Sequence, residues 1–180
     1  MSQTAFPLPL HHNAAHEVAR DGGKYLVVCP DGEESYWQPQ PANGYASVHV
    51  APHLVPMSVP FSFGTQTLPP GGIVRQHSHD ENEEVLHFIS GSGKALLDGV
   101  EYRLAAGSTL YLGKLRSHMF INDGDVDMHW TWLYIPAGLE AFFRNVGRHR
   151  TPGEAAPEPF DRPMNVAAIE ASTGFARGGS

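Results

Sequence analysis

Cysteine and charged residues are scarce in this 180-residue chain, which has one cysteine and only 17% charged residues. A single thiol, Cys29, cannot form an intramolecular disulfide, so the core rather than cross-links must hold the fold. Cys29 lies in the apolar run YLVVCP, where a small buried hydrophobic residue is favoured over a catalytic thiolate. No run approaches the roughly 18 uninterrupted apolar residues of a membrane helix, and no secretory leader pattern is present. We therefore expect a cytoplasmic protein with no membrane partner.

Basic residues are outnumbered, with 12 lysines and arginines against 19 aspartates and glutamates, which gives a formal net charge of −7 with neutral histidines. A surplus of negative charge repels the phosphate backbone of DNA or RNA at long range. We therefore expect no nucleic acid partner.

Glycine and proline, in contrast, are frequent, with 19 and 15 residues, and 41% of the chain is hydrophobic. This composition is globular and is typical of short strands that are joined by tight turns. The length suits one domain that can bury a substantial core. The composition therefore favours an all-β or β-rich fold.

The chain divides into three segments by the character of its sequence. Residues 1–44 predict an N-terminal arm with one strand from Lys24 to Cys29 and a loop around Pro39 to Gly44. Residues 45–136 alternate in YASVHV, VPFSFGT, ALLDGVEYRL and MHWTWLYI, a pattern that predicts the strands of a barrel or sandwich. Within them, Asp98-Gly99 predicts a two-residue hairpin turn.

Residues 137–180 predict a C-terminal helix and tail that pack on the barrel. Leu139, Phe142, Phe143 and Val146 recur with the spacing of one helix face. A proline-rich linker follows from 151 to 163, and Asn165 could cap a last short helix that runs through Ile169.

Candidate metal ligands lie in the segment RQHSHDENEEVLHFISG. His77 and His79 are two residues apart, so on a strand both imidazoles project from one face. After a polar turn, Glu84 begins the next strand on the same face as Leu86 and Phe88. A pair of histidines alone is a weak signal, because such pairs are as often exposed or hydrogen-bonded as metal-bound.

The wider spacing gives a more specific signal. Gly71, His77, His79, Glu84 and Gly91 have the spacing of the first signature motif of the cupin superfamily, which this chain resembles. Gly107, His118 and Asn122 fit the second motif, but Gly113 and Leu115 stand where that motif has proline and glycine. The resemblance implies a single jelly-roll cupin barrel, with His118 as the third histidine ligand and Asn122 as a structural polar contact.

The ligand set that the resemblance implies is His77, His79, Glu84 and His118. Three neutral imidazoles and one carboxylate leave a divalent ion with a net charge near +1, which favours an anionic small-molecule substrate. We expect one divalent metal ion, with Fe(II) preferred and with Mn, Ni, Zn and Cu as alternatives. Glu84 is also the candidate catalytic proton acceptor.

Candidate substrate contacts are Arg75, Phe88, Trp130 and Trp132. Arg75 precedes His77 by two residues, so on a straight strand it enters the same cavity, and the alternative is a salt bridge at the barrel mouth. Phe88 shares the face of Glu84, and Trp130 and Trp132 share one face of the last barrel strand. These aromatic residues either pack in the core or line a pocket.

The segment PAGLEAFFRNVG resembles the region after the barrel in small quercetinase-like cupins. That resemblance implies a dioxygenase that cleaves a carbon–carbon bond in a chelating enol, phenol or hydroxy-ketone. The alternatives are a redox-neutral lyase or isomerase, in which a tyrosine or Glu84 moves a proton, and a non-catalytic small-molecule-binding cupin. Small cupins resemble one another in pairing their barrels, so we also expect a homodimer.

Overall fold

A computed structural model describes residues 23–175, and within them the chain forms two antiparallel sheets and two short helices. In chain order, the elements are β1 (Glu34–Trp37), β2 (Tyr45–Val50), β3 (Ser62–Leu68), β4 (Ile73–His77), β5 (Glu83–Ser90), β6 (Ser92–Leu97), β7 (Val100–Ala105), β8 (Thr109–Leu112), β9 (His118–Ile121), β10 (Met128–Ile135), α1 (Leu139–Val146), β11 (Arg148–His149) and α2 (Val166–Ser172).

The two sheets form a jelly-roll sandwich. The larger sheet has the strand order β11-β1-β2-β3-β10-β5-β8, and the smaller one has the order β4-β9-β6-β7. They face each other, since the Phe120 ring of β9 lies 6.1 Å from Phe88 of β5 and 6.0 Å from Trp130 of β10. The all-β jelly-roll prediction is confirmed, but no strand ladder closes the sheets into a continuous barrel within residues 23–175.

The central strands β5 and β10 carry the core. Their two-residue alternation buries Leu86, Phe88, Trp130, Trp132 and Tyr134, each no more than 1% exposed. Residues that pair between β5 and β10 project from the same face of the sheet. A residue of β5 that lies an even number of positions from Leu86 therefore also points into the sandwich.

The predicted hairpin is present between β6 and β7, where Leu97 pairs with Val100. Asp98 and Gly99 have φ values of 47° and 83°, as a primed two-residue turn requires. Aspartate and glycine adopt this left-handed conformation more readily than most residues, which is why the pair was informative.

The predicted strand from Lys24 to Cys29 is wrong, because this segment pairs with no other within residues 23–175 and the first strand in that range begins at Glu34. Two of its apolar side chains, Tyr25 and Val27, are also 49% and 65% exposed. The loop around Pro39 to Gly44 is confirmed, since it joins β1 to β2. Residues 1–22, the rest of the predicted arm, lie outside the described residues.

The C-terminal helices are both present. The predicted face of α1 is buried, and its Phe143 packs 5.5 Å from Trp132 of β10. Asn165 stands at the N-terminus of α2, but its side chain makes no capping hydrogen bond. Neither helix is long and apolar enough to cross a membrane, as far as the described residues go. The division into segments 1–44, 45–136 and 137–180 stays a prediction.

Candidate metal centre

Three histidine rings meet at one point beside the smaller sheet. His77 at the end of β4 pairs directly with His118 at the start of β9, and their ring centroids are 4.1 Å apart. His79 lies two residues beyond β4, with its ring 5.0 Å from His77 and 5.2 Å from His118. One nitrogen of each ring lies within 4.8 Å of the others, so the three residues could hold a metal ion.

Backbone carbonyls orient two of these rings. The Nδ1–H of His77 donates to the Arg75 carbonyl at 2.7 Å, and the Nδ1–H of His118 donates to the Arg116 carbonyl at 2.9 Å. A carbonyl only accepts, so each ring carries its proton on Nδ1 and keeps a lone pair on Nε2. This is the tautomer that a metal ligand needs, and the second bond fixes the ring orientation.

Tyr134 orients the third ring, with its hydroxyl 2.9 Å from His79 Nδ1. The metal-binding tautomer of His79 requires its Nδ1–H to donate to the hydroxyl oxygen. Burial, followed by the charge of Glu84, raises the pKa of Tyr134. The phenol of Tyr134 therefore stays protonated and is a poor general base. The other two candidate tyrosines, Tyr102 and Tyr111, are 50% and 64% exposed on the outer surface and do not line the cavity.

Glu84 lies inside the sandwich, as its parity predicted, and is 5% exposed. Its Oε2 is 3.7 Å from His79 Nε2 and 3.6 Å from His118 Nε2. These separations are too long for hydrogen bonds, but two ligands that are each about 2.1 Å from one ion lie roughly 3.0–3.4 Å apart.

The Nε2 atoms of His79 and His118 are buried and have no hydrogen-bond partner among the described residues. Buried polar atoms are nearly always paired, so two that converge on a carboxylate need a shared partner. A divalent cation satisfies both lone pairs and the carboxylate at once. The residues present therefore fit a metal ion of the kind that three histidines and a glutamate bind.

Burial lowers the pKa of His77 well below its ordinary value, and the neighbouring histidines lower it further. Burial also lowers the pKa of His118, against the opposing effect of Glu84. Both rings are therefore neutral at pH 7, as metal ligation requires.

A cavity of about 260 Å³ lies beside this centre, and His77 and Glu84 are among the residues that line it. Its wall is mixed, with aromatic and aliphatic side chains on one hand and glutamine side chains and an arginine–glutamate cluster on the other. The apolar wall includes Leu86, Phe120, Trp130, Phe142, Phe143 and Phe175. Small-molecule sites commonly combine such an apolar wall with a few polar groups.

Arg75 was predicted to enter the same cavity as His77. It does line that cavity, and its Nη2 also pairs with Glu170 Oε1 at 3.0 Å, with a side chain that is 51% exposed. The β4–β9 register shifts between Val74 and His77, which breaks the two-residue alternation on which the prediction depended. The ion pair that was left open as the alternative describes its contact.

Of the predicted aromatic contacts, the structure places only Trp130 on the cavity wall. Phe88 packs against Trp130 and Phe120, and Trp132 packs against Phe143, so both lie in the core and do not line the cavity. Parity alone identifies inward residues, but it does not distinguish a residue in the filled core from one at a cavity.

The sequence reasoning missed the wall residues from the C-terminal segment, including Arg162, Glu170 and Phe175. Phe175 stacks on His77 with ring centroids 5.0 Å apart and planes 28° apart. No spacing rule connects residues so remote from the histidines along the chain, so no sequence signal pointed to them.

The turn before His118 lacks the proline and glycine of the second cupin motif. Leu115, which stands where the second cupin motif has glycine, has a φ of 63°. Its amide donates to the His79 carbonyl at 2.8 Å, which ties the two histidine segments together. Asn122 is fully buried and donates to the Leu68 and Val126 carbonyls, the structural contact that was expected.

The fold and the site together define a two-sheet jelly-roll protein with a histidine cluster that could bind metal. Residues 64–134 match the cupin domain family, and this range contains all four predicted ligands. This segment of the chain is therefore similar to a cupin domain.

One solved structure supports the fold, and others are similar over part of the chain. A predicted oxalate decarboxylase from Thermotoga maritima is 21% identical, with a TM-score of 0.52 over 62% of this chain and 99% of that one. The chain is also similar to KdgF from a Halomonas species, 15% identical, with a TM-score of 0.48 over 56% of this chain and 84% of that one. A cupin protein from Bacteroides fragilis is 20% identical, with a TM-score of 0.48 over 66% and 88% of the two chains.

Proposed function

We propose that this protein is a metal-dependent dioxygenase that cleaves a carbon–carbon bond in a small chelating enol, phenol or hydroxy-ketone. The observation that carries the proposal is that His77 of the histidine cluster and Glu84, which lies beside that cluster, also line one cavity.

The ligands in this proposal are His77, His79, His118 and Glu84, and the preferred ion is Fe(II), with Mn, Ni, Zn or Cu as alternatives. The bound ion would supply a Lewis-acidic positive charge and, if it is redox-active, electrons for the reduction of dioxygen. The hydrogen bonds to Nδ1 of the three histidines hold their rings in the orientation that ligation needs.

Glu84 has the position of a proton acceptor. Its carboxylate faces the cavity and is almost completely shielded from solvent, so it can take the proton of a bound enol or phenol and leave the substrate as an anion. The raised pKa of Tyr134 makes the phenol a poor competitor for this role.

The cavity wall has room for the aromatic body of an enol or phenol. Trp130, Phe120 and Phe142 offer flat apolar surfaces, and the glutamine side chains of the wall offer hydrogen-bond partners for the polar groups of the substrate. In a dioxygenase both oxygen atoms enter the products, so the reaction consumes no external reductant.

The test begins with metal analysis of the purified protein, followed by oxygen-electrode measurements with catechols, flavonols, diketones and hydroxy acids. We expect oxygen uptake that matches carbon–carbon cleavage one to one. Turnover under strict anaerobiosis would instead establish the redox-neutral lyase or isomerase, and tight binding without turnover across the panel would establish a binding protein.

A matched pair of variants tests the role of Glu84. Glu84→Gln keeps the shape of the side chain but removes its charge and basicity, so turnover should fall at least about a hundredfold. Glu83→Gln makes the same change on the adjacent residue, which is exposed on the opposite face of β5, and should stay within about twofold. Equal activities of the two variants would contradict the proposal.

The homodimer is also part of the proposal, and light scattering coupled to size-exclusion chromatography measures it directly.

A further inference from the structure

The segment that follows residues 64–134 brings a partly buried cation to the cavity. Arg162, in the linker between β11 and α2, lines the cavity, and its side chain is only 17% exposed. Its Nη2 forms an ion pair with Glu170 Oε1 at 2.9 Å, but its Nη1 is buried without a partner among the described residues. A buried guanidinium donor without an acceptor is costly, so a ligand in the cavity that accepts from it would bind favourably.

The charges around Arg162 do not balance. Glu170 Oε1 forms ion pairs with both Arg162 and Arg75, at 2.9 and 3.0 Å. Within residues 23–175 no other carboxylate lies within 4.0 Å of either guanidinium. Two cations therefore share one anion, which leaves one positive charge in this cluster, while Glu84, the other carboxylate of the cavity wall, lies at the metal centre.

We propose that Arg162 binds a carboxylate of the substrate, and that the substrate class is a small aromatic carboxylate. This inference depends on the proposed function for the chemistry at the metal centre, and it adds a second anchor point to the substrate. The excess of one charge matches a carboxylate better than a phosphate dianion, which would need further cationic or amide donors. The aromatic wall formed by Phe120, Trp130 and Phe142 matches an aromatic body.

The experiment measures binding to metal-stripped protein by isothermal titration calorimetry, with benzoate as the probe and benzamide as its neutral counterpart of the same shape. Wild-type protein should bind benzoate more tightly than benzamide. Arg162→Gln should lower benzoate affinity about ten- to a hundredfold, the usual loss for one hydrogen bond to a charged group. It should leave benzamide affinity nearly unchanged, which also shows that the variant is folded.

Two further variants separate a direct contact from a general charge effect. Arg103→Gln removes the same charge from an exposed site, where Arg103 pairs with Asp123, and should leave benzoate affinity within about twofold. Glu170→Gln removes the competing carboxylate, so benzoate should bind more tightly. Equal losses for Arg162→Gln and Arg103→Gln, equal affinities of wild-type protein for benzoate and benzamide, or weaker benzoate binding by Glu170→Gln would each overturn the inference.

Because the probe is bound without metal and without turnover, the two proposals fail separately. A charge preference that depends on Arg162 in a protein that consumes no oxygen would refute the dioxygenase but keep the anion site. Oxygen uptake without any preference for benzoate over benzamide would keep the dioxygenase proposal and refute the anion site.

Discussion

The hydrogen bond between Tyr134 and His79 offers a direct test of the metal centre. Tyr134→Phe removes one oxygen atom from a fully buried side chain and leaves the ring packing in place. His79 Nδ1 then loses its 2.9 Å partner in an enclosed site. An unsatisfied buried donor costs about 1–3 kcal/mol, and loss of such an outer contact typically lowers metal affinity about 10- to 100-fold.

These two magnitudes agree, since a 10- to 100-fold change in affinity corresponds to about 1.4–2.7 kcal/mol. The assay is a competitive titration of metal-stripped protein with Co²⁺ or Zn²⁺ against a chromophoric chelator. Tyr36→Phe is the control, because the Tyr36 hydroxyl bonds Glu34 at 3.1 Å and no histidine. If Tyr134→Phe and Tyr36→Phe bind metal equally well, the reasoning that assigns His79 as an oriented ligand fails.

Three further predictions concern stability. Leu115→Gly should raise the free energy of unfolding by about 0.5–1 kcal/mol in denaturant melts. Glycine removes left-handed backbone strain of about 1–2 kcal/mol, part of which is offset by its greater entropy in the unfolded chain, and little packing is lost because the Leu115 side chain is 66% exposed. Leu115→Ala keeps the strain and should not stabilise the protein. Burial lowers the pKa values of His77 and His118 in the folded state, so the metal-free protein should keep full stability above pH 6.5, the pKa of an unfolded histidine, and lose stability as the pH falls below it. Urea melts at pH 7.5 and 5.5 test this, and His118→Asn should reduce the difference in stability between the two pH values. Co²⁺ at a hundred times its dissociation constant should add about 2.7 kcal/mol in the same melts, and no gain would contradict metal binding.

The alternation of β5 was predictable because one face of the strand is buried. Glu84, Leu86 and Phe88 point inward while His87 points outward, and a register one residue different would bury His87 and expose the whole apolar set. The hairpin at Asp98-Gly99 was equally predictable, since its backbone conformation restricts the residue types. Local rules succeed where a single physical constraint decides the outcome.

One prediction failed, and the contact of another residue could not be foreseen, because both depend on information that is not local. Lys24 to Cys29 has a strand-like composition, but a strand exists only where a partner supplies its hydrogen bonds. Arg75 has the parity of His77 in sequence, but the irregular pairing of β4 with β9 places its guanidinium beside Glu170, a residue 95 positions later. Neither the bulge nor the distant partner leaves a trace in the spacing of nearby residues.

Two parts of the chain build the site: the segment that matches the cupin family supplies the predicted metal ligands, and the flanking segments supply much of the cavity wall. Residues 64–134 supply the four predicted ligands, and proteins with such a domain can carry out different chemistries at similar metal centres. Much of the remaining wall comes from outside that range, from residues 38–42 before it and from residues 139–175 after it. Arg162 is the less exposed of the two arginines of this wall, and Phe175 stacks on His77. If substrate choice depends on the charge and shape of the wall, it is encoded mainly in these flanking segments, and a family resemblance that rests on the ligand motifs specifies the metal centre more closely than the substrate.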